Sequence, residues 1–158
     1  QANKAENFGP MNAKRRGAVS HRVVRERLGG YHAALKKAGI AIEDIVHIEC
    51  ENMSSHSAEM VETMLRDHPE IDGILAMSDV IAIGALDGAR VSGRKVPDDL
   101  KVIGFDGIAE GERTDPPLSS IRQDSVEKGR LAAEMALGEA DSDSRVLETS
   151  LLVRGSTA

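Results

Sequence analysis

From residue 45 onward, short apolar runs alternate with longer stretches in which apolar residues recur every three or four positions. Residues 45–49 (IVHIE), 73–77 (GILAM) and 101–105 (KVIGF) predict strands. The first and last alternate in part; the middle one is almost wholly apolar, as a strand buried on both faces should be. Between the first two, Ala58, Val61, Met64 and Leu65 fall at helical spacing. Between the second and third, residues 80–89 predict an apolar-rich helix, closed by Gly93 and followed by Pro97. Upstream, Val24, Leu28, Tyr31, Leu35 and Ala38 form one helical stripe that ends at Gly39. Strand starts 28 residues apart suit one βαβ step each. The pattern predicts an α/β fold: a parallel, Rossmann-like sheet wrapped on both faces by helices.

Composition narrows the class. The 158 residues are 41% hydrophobic and 29% charged, which describes a globular chain with a real core. No apolar run is long enough for a bilayer, and residues 1–13 lack the apolar centre of a signal peptide. The lone Cys50 excludes an internal disulfide and fits a reducing compartment. Net charge is −6, but residues 1–37 carry nine Lys/Arg against two Glu, leaving the remainder strongly acidic. That basic stretch could touch nucleic acid or a membrane surface, and equally fits a solvated helix face. Aromatic content of 2% speaks against base stacking.

In open α/β sheets, ligands bind beyond the carboxyl ends of the strands. Those ends read Cys50-Glu51-Asn52, Ser78-Asp79 and Asp106-Gly107: short, polar and hydrogen-bonding. Each has a plainer reading. Ser78 or Asp79 can cap the helix that follows, Ser54 or Ser55 can cap the preceding one, and Asp106-Gly107 can be a turn. Arg27, beside the apolar stripe of its helix, offers a planar fork suited to carboxylates, phosphates or paired hydroxyls, or it pairs with Glu26. Catalytic chemistry is missing. The five histidines show no metal-ligand spacing, and there is no GxSxG elbow, phosphate loop or GxGxxG fingerprint. His47 reads as packed. No catalytic residue, metal or cofactor is expected.

Five segments then carry a resemblance: residues 25–35 (RERLGGYHAAL), 72–86 (DGILAMSDVIAIGAL), 96–106 (VPDDLKVIGFD), 117–124 (PLSSIRQD) and 151–157 (LLVRGST). In that order, and with that tail, they resemble the sensor domain of the lactose-repressor/galactose-repressor (LacI/GalR) transcription regulators. The match runs over residues 22–158, while residues 1–21 match poorly, apart from Phe8-Gly9-Pro10 as the remnant of a first strand. The resemblance implies a periplasmic-binding-protein-like fold that grips a small effector, a sugar, polyol or purine, between two lobes. It also implies a cytoplasmic homodimer that binds operator DNA through an N-terminal helix-turn-helix, with no membrane partner. Carried over by motif, Arg27, Ser78, Asp106 and Gln123 are ligand contacts, with Asn52 and Asp79 as further candidates. The sequence departs from the pattern where Asn52 replaces an aromatic ring and Ser78 an asparagine. The DNA-binding head and most of the first lobe are not in the sequence, so no sequence-specific DNA binding is expected of this chain. The apolar helix predicted over residues 126–137 should present an uncovered face. The rival is a periplasmic sugar-binding protein serving an ABC transporter.

Overall fold

The first element among the described residues is a strand of two residues. The computed structural model describes residues 8–138 and 144–158. In order they form β1 (Gly9–Pro10), α1 (Ala13–Gly17), α2 (Arg22–Lys37), β2 (Ile48–Glu49), α3 (Ser54–Asp67), β3 (Gly73–Leu75) and α4 (Asp79–Val91). Then follow β4 (Lys101–Asp106), β5 (Ser119–Gln123), α5 (Ser125–Leu137) and β6 (Thr149–Leu152). The main sheet has the order β3-β4-β5-β6, with β3, β4 and β5 parallel and β6 antiparallel at the edge.

Period two governs β4. Val102 and Gly104 are buried toward α4, while Ile103 and Phe105 look to the opposite face and are half-buried. On α4, Ala82, Ala85, Leu86 and Ala89 complete the core with Val61, Met64 and Leu65 of α3 and with Leu100 and Leu118. Small residues let the two helices approach closely: a Cβ on Gly84 would lie 2.1 Å from the Ser54 carbonyl oxygen. Gly39 and Gly93, at φ +83° and +71°, end α2 and α4 as their positions in the sequence predict.

Several expectations are corrected. The strand expected over residues 45–49 shrinks to β2, which pairs antiparallel with β1 and stands outside the main sheet. As a result β3 is an edge strand, and Leu75 is 44% exposed where a two-sided burial was expected. Helices do not wrap both faces evenly either. α4 covers one face, whereas α2 and α5 contain no buried residue. The stripe on α2 is visible as half-burial of Val24, Leu28, Tyr31 and Leu35, but Ala38 is exposed. Neither Ser54 nor Ser55 caps α3, whose N-cap position is Met53 with no side-chain bond.

The last residues close the sheet from below. Ser156 is buried; its amide donates to the Pro117 carbonyl, and its carbonyl accepts from the Val102 amide. Its hydroxyl donates to the Val102 carbonyl at 2.6 Å and accepts from the Ser119 amide at 2.8 Å. The tail thereby ties the starts of β4 and β5 together.

Candidate functional site

The carboxyl end of β4 carries an unusual backbone. Asp106 has φ +122°, a region that costs a non-glycine residue about 1–3 kcal/mol, and Gly107 follows at +73°. Both conformations are held from beneath. Asp79 is 1% exposed; its Oδ2 accepts from the Ile108 amide at 2.8 Å and its Oδ1 from the Ser120 hydroxyl at 2.6 Å. The Ser120 hydroxyl in turn accepts from the Gly107 amide at 3.1 Å. Gly104 makes room for this carboxylate: a Cβ there would stand 2.2 Å from Asp79 Oδ1. Asp79 therefore faces inward and braces the loop after β4.

So braced, the Asp106 carboxylate meets two donors. Its Oδ1 accepts from Arg27 Nη2 at 3.2 Å and from Gln123 Nε2 at 2.7 Å. Among the described residues, no group donates to Oδ2. The Arg27 fork also donates to the Met77 carbonyl at 2.5 Å, and its carbon lies 3.7 Å above the centre of the Phe105 ring. The Arg27 side chain is 17% exposed, so its charge is only partly desolvated and its stacking on Phe105 is favourable. One turn along α2, the Tyr31 hydroxyl donates to the Ala76 carbonyl. Burial raises the Tyr31 pKa, and the Asp106 and Asp79 carboxylates push the same way against Arg27.

Ser78 decides the capping question. Its hydroxyl accepts from the Ile81 amide, which makes Ser78 rather than Asp79 the N-cap of α4. The same hydroxyl donates to Asn52 Oδ1 at 2.5 Å, so the exposed Asn52 is drawn to the end of β3. Arg27 bypasses Glu26, which pairs with Arg22 instead. The structure thus brings Arg27, Asp106 and Gln123 into direct contact, joins Asn52 to Ser78 beside them, and places Asp79 below. Cys50, at the end of β2, is half-buried; burial and the adjacent Glu49 raise the pKa of its thiol. Among the described residues no cluster of three or more His, Cys, Asp or Glu could hold a metal.

Sequence reasoning missed Phe105, Ser120 and Gly104. Phe105 was legible only as a strand residue. Ser120 left a faint signal, since two consecutive serines between Leu118 and Ile121 need hydrogen-bond partners where they are buried.

Residues 14–157 match the family model of the periplasmic binding protein-like domain. The chain belongs to that family. Its relatives with this domain are LacI-family transcriptional regulators. The HTH-type transcriptional repressor CytR of Escherichia coli K12 is 37% identical over 137 residues, covering 83% of this chain and 40% of the repressor. The HTH-type transcriptional regulator CelR of Thermobifida fusca is 34% identical over 136 residues, with the same two coverages. Among solved structures, a LacI family regulator from Arthrobacter sp. FB24 in complex with lactose superposes with a TM-score of 0.77 at 34% identity. That superposition covers 94% of this chain and 55% of the regulator. The chain spans about 40% of the length of the curated relatives it matches. No helix among the described residues is long and apolar enough to cross a membrane.

Proposed function

We propose that this chain is the effector-binding part of a LacI/GalR-type transcriptional regulator and that its ligand is a sugar or related polyol. The observation that carries this reading is the Asp106 carboxylate. One oxygen is fixed by Arg27 and Gln123 and the other has no donor among the described residues. Since an ionised carboxylate only accepts, the ligand must offer a donor there. Asn52 and the remaining donors of the Arg27 fork present both donor and acceptor character nearby. A small body bearing donors and acceptors side by side is a polyhydroxy compound. Arg27 covers one face of Phe105, and the apolar side of such a site comes from elsewhere. Asp79 positions Asp106 and does not touch the ligand.

The regulatory step is linkage. An effector that fits one interlobe geometry better than another shifts the population toward it, and that geometry sets operator affinity. Operator contact and homodimer formation belong to the whole regulator, acting in the cytoplasm, and catalysis has no part in it. Relatives that are regulators favour this reading over a transporter's periplasmic binding protein. The test is thermal-shift screening against sugars, polyols and purines. A ligand at about a hundred times its Kd raises stability by roughly 2.7 kcal/mol. A purine that stabilises while every sugar and polyol fails would overturn the ligand class.

A further inference from the structure

His32 and His47 lie outside the site and have no part in the mechanism above. Their Nε2 atoms are 2.8 Å apart, with ring centroids at 5.1 Å and planes at 84°. His47 Nδ1 is 2.9 Å from the Ile45 carbonyl oxygen. A carbonyl only accepts, so His47 Nδ1 carries a hydrogen. Neutral His47 then has a bare Nε2, and His32 Nε2–H must be the donor across the pair. One proton thus joins α2, the helix that carries Arg27, to the segment that leads through β2 to Asn52.

We propose that this pair is a proton-operated latch between the two elements, tightened by a first added proton and opened by a second. A proton added at His32 Nδ1 leaves the Nε2–H···Nε2 bond in place and makes it charge-assisted, which strengthens it. A further proton on His47 Nε2 sets N–H against N–H between two cations, and the bond is lost. The surroundings delay that second step. Burial is the main cause that lowers the His47 pKa from its usual 6.5; the cationic Arg16 of α1 and His32 of α2 act the same way, against the Ile45 bond. Among the described residues no carboxylate forms an ion pair with either ring: Glu43 and Asp44 are exposed, and Glu49 is engaged by Arg15. Lys36, one turn beyond His32, is exposed and cationic. A base with a depressed pKa gives stability that is present above its unfolded value and lost as pH falls through its folded value. The latch therefore holds at neutral pH and through mild acid, and opens below. That it would then free Arg27 from the effector site rests on the function proposed above; the opening itself does not.

The experiment is amide hydrogen exchange and histidine 15N chemical shifts of the ligand-free chain, from about pH 7.5 to about pH 4.5. Exchange is read without any ligand, so failure of the effector reading would not register in it. At neutral pH the His47 Nε2 shift should be that of an unprotonated, hydrogen-bonded nitrogen. In acid, protection of residues 28–35 should fall by up to about tenfold per pH unit for the one proton taken up, while β4 stays protected. In His47→Gln the side-chain carbonyl accepts from His32 and never titrates, so the acid loss should vanish. Equal loss in His47→Gln and wild type would overturn the latch, as would α2 protection that follows β4 throughout. Should the variant fail to fold, the wild-type shifts decide alone: two rings that titrate independently, as free imidazoles do, also overturn it.

Discussion

At the scale of single residues, the cluster around Asp106 separates the groups proposed to touch a ligand from those that hold them in place. Asp106→Asn can keep its oxygen toward Arg27 and Gln123 and turn its amide toward the side where Oδ2 accepts. Fold contacts then survive, but a donor faces the ligand's donor, which costs about 1–3 kcal/mol, or roughly ten- to a hundredfold in effector affinity. Arg27→Lys should weaken binding too, because one ammonium cannot serve both the Met77 carbonyl and Asp106 in the plane above Phe105. Titration calorimetry on the whole regulator checks both, and stability should move by less than about 1 kcal/mol for this partly exposed pair. Gly104→Ala should do the reverse. Its Cβ would press on the buried Asp79 carboxylate, so a loss of about 1–3 kcal/mol is expected by denaturant titration. That Asp106 and Arg27 would stand near one another was legible from a strand end and a helix stripe, whereas Gln123 entered only through the family resemblance. Gly104 and Ser120 were not legible, because their roles depend on a carboxylate from another element.

At the scale of elements, close approach decides more than propensity. α3 and α4 meet across Gly84 and Gly88, so Gly84→Ala would drive a methyl into the Ser54 carbonyl and Ser57 hydroxyl. Backbone cannot yield as a flexible side chain does, and a loss at or above the usual 1–3 kcal/mol of overpacking is expected. Gly29→Ala on α2 meets nothing within 4 Å and should instead stabilise by up to about 1 kcal/mol. Thermal melts of the two variants should therefore move in opposite directions. α3, α4 and β4 were legible from periodicity, since each buries one regular face, whereas β3 was legible only as a short apolar run. The run IVHIE misled because its end pairs with β1, through Ile48, Glu49 and the His47 carbonyl that accepts from the Met11 amide, rather than with β3.

At the scale of the molecule, the same sheet that forms a core leaves much of its apolar surface open. Val126 and Leu137 of α5 are 84% and 72% exposed, and Leu151 and Val153 near β6 are exposed as well. On the same helix Arg130 pairs with Glu127 and Glu134. Scattered apolar residues are ordinary, but contiguous ones mark interaction surfaces. Hydrophobic-dye binding that falls as association rises, followed by sedimentation, is the expected behaviour of this chain. A monomer that binds no dye would show the surface to be inert. The parallel order was legible from the regular strand spacing; the antiparallel β6 and the stitching by Ser156 were not, since no local pattern announces a partner so distant in sequence. That distance has a kinetic meaning. The Ser156–Val102 bond closes a loop of 54 residues, whose entropy must be met before the contact gives anything back. Ser156 should thus lock after the folding barrier is crossed, and Ser156→Ala should hasten unfolding while leaving the refolding rate nearly unchanged in stopped-flow denaturant jumps. A chain closed last at its tail is one whose lifetime, rather than its speed of folding, is set by its final residues.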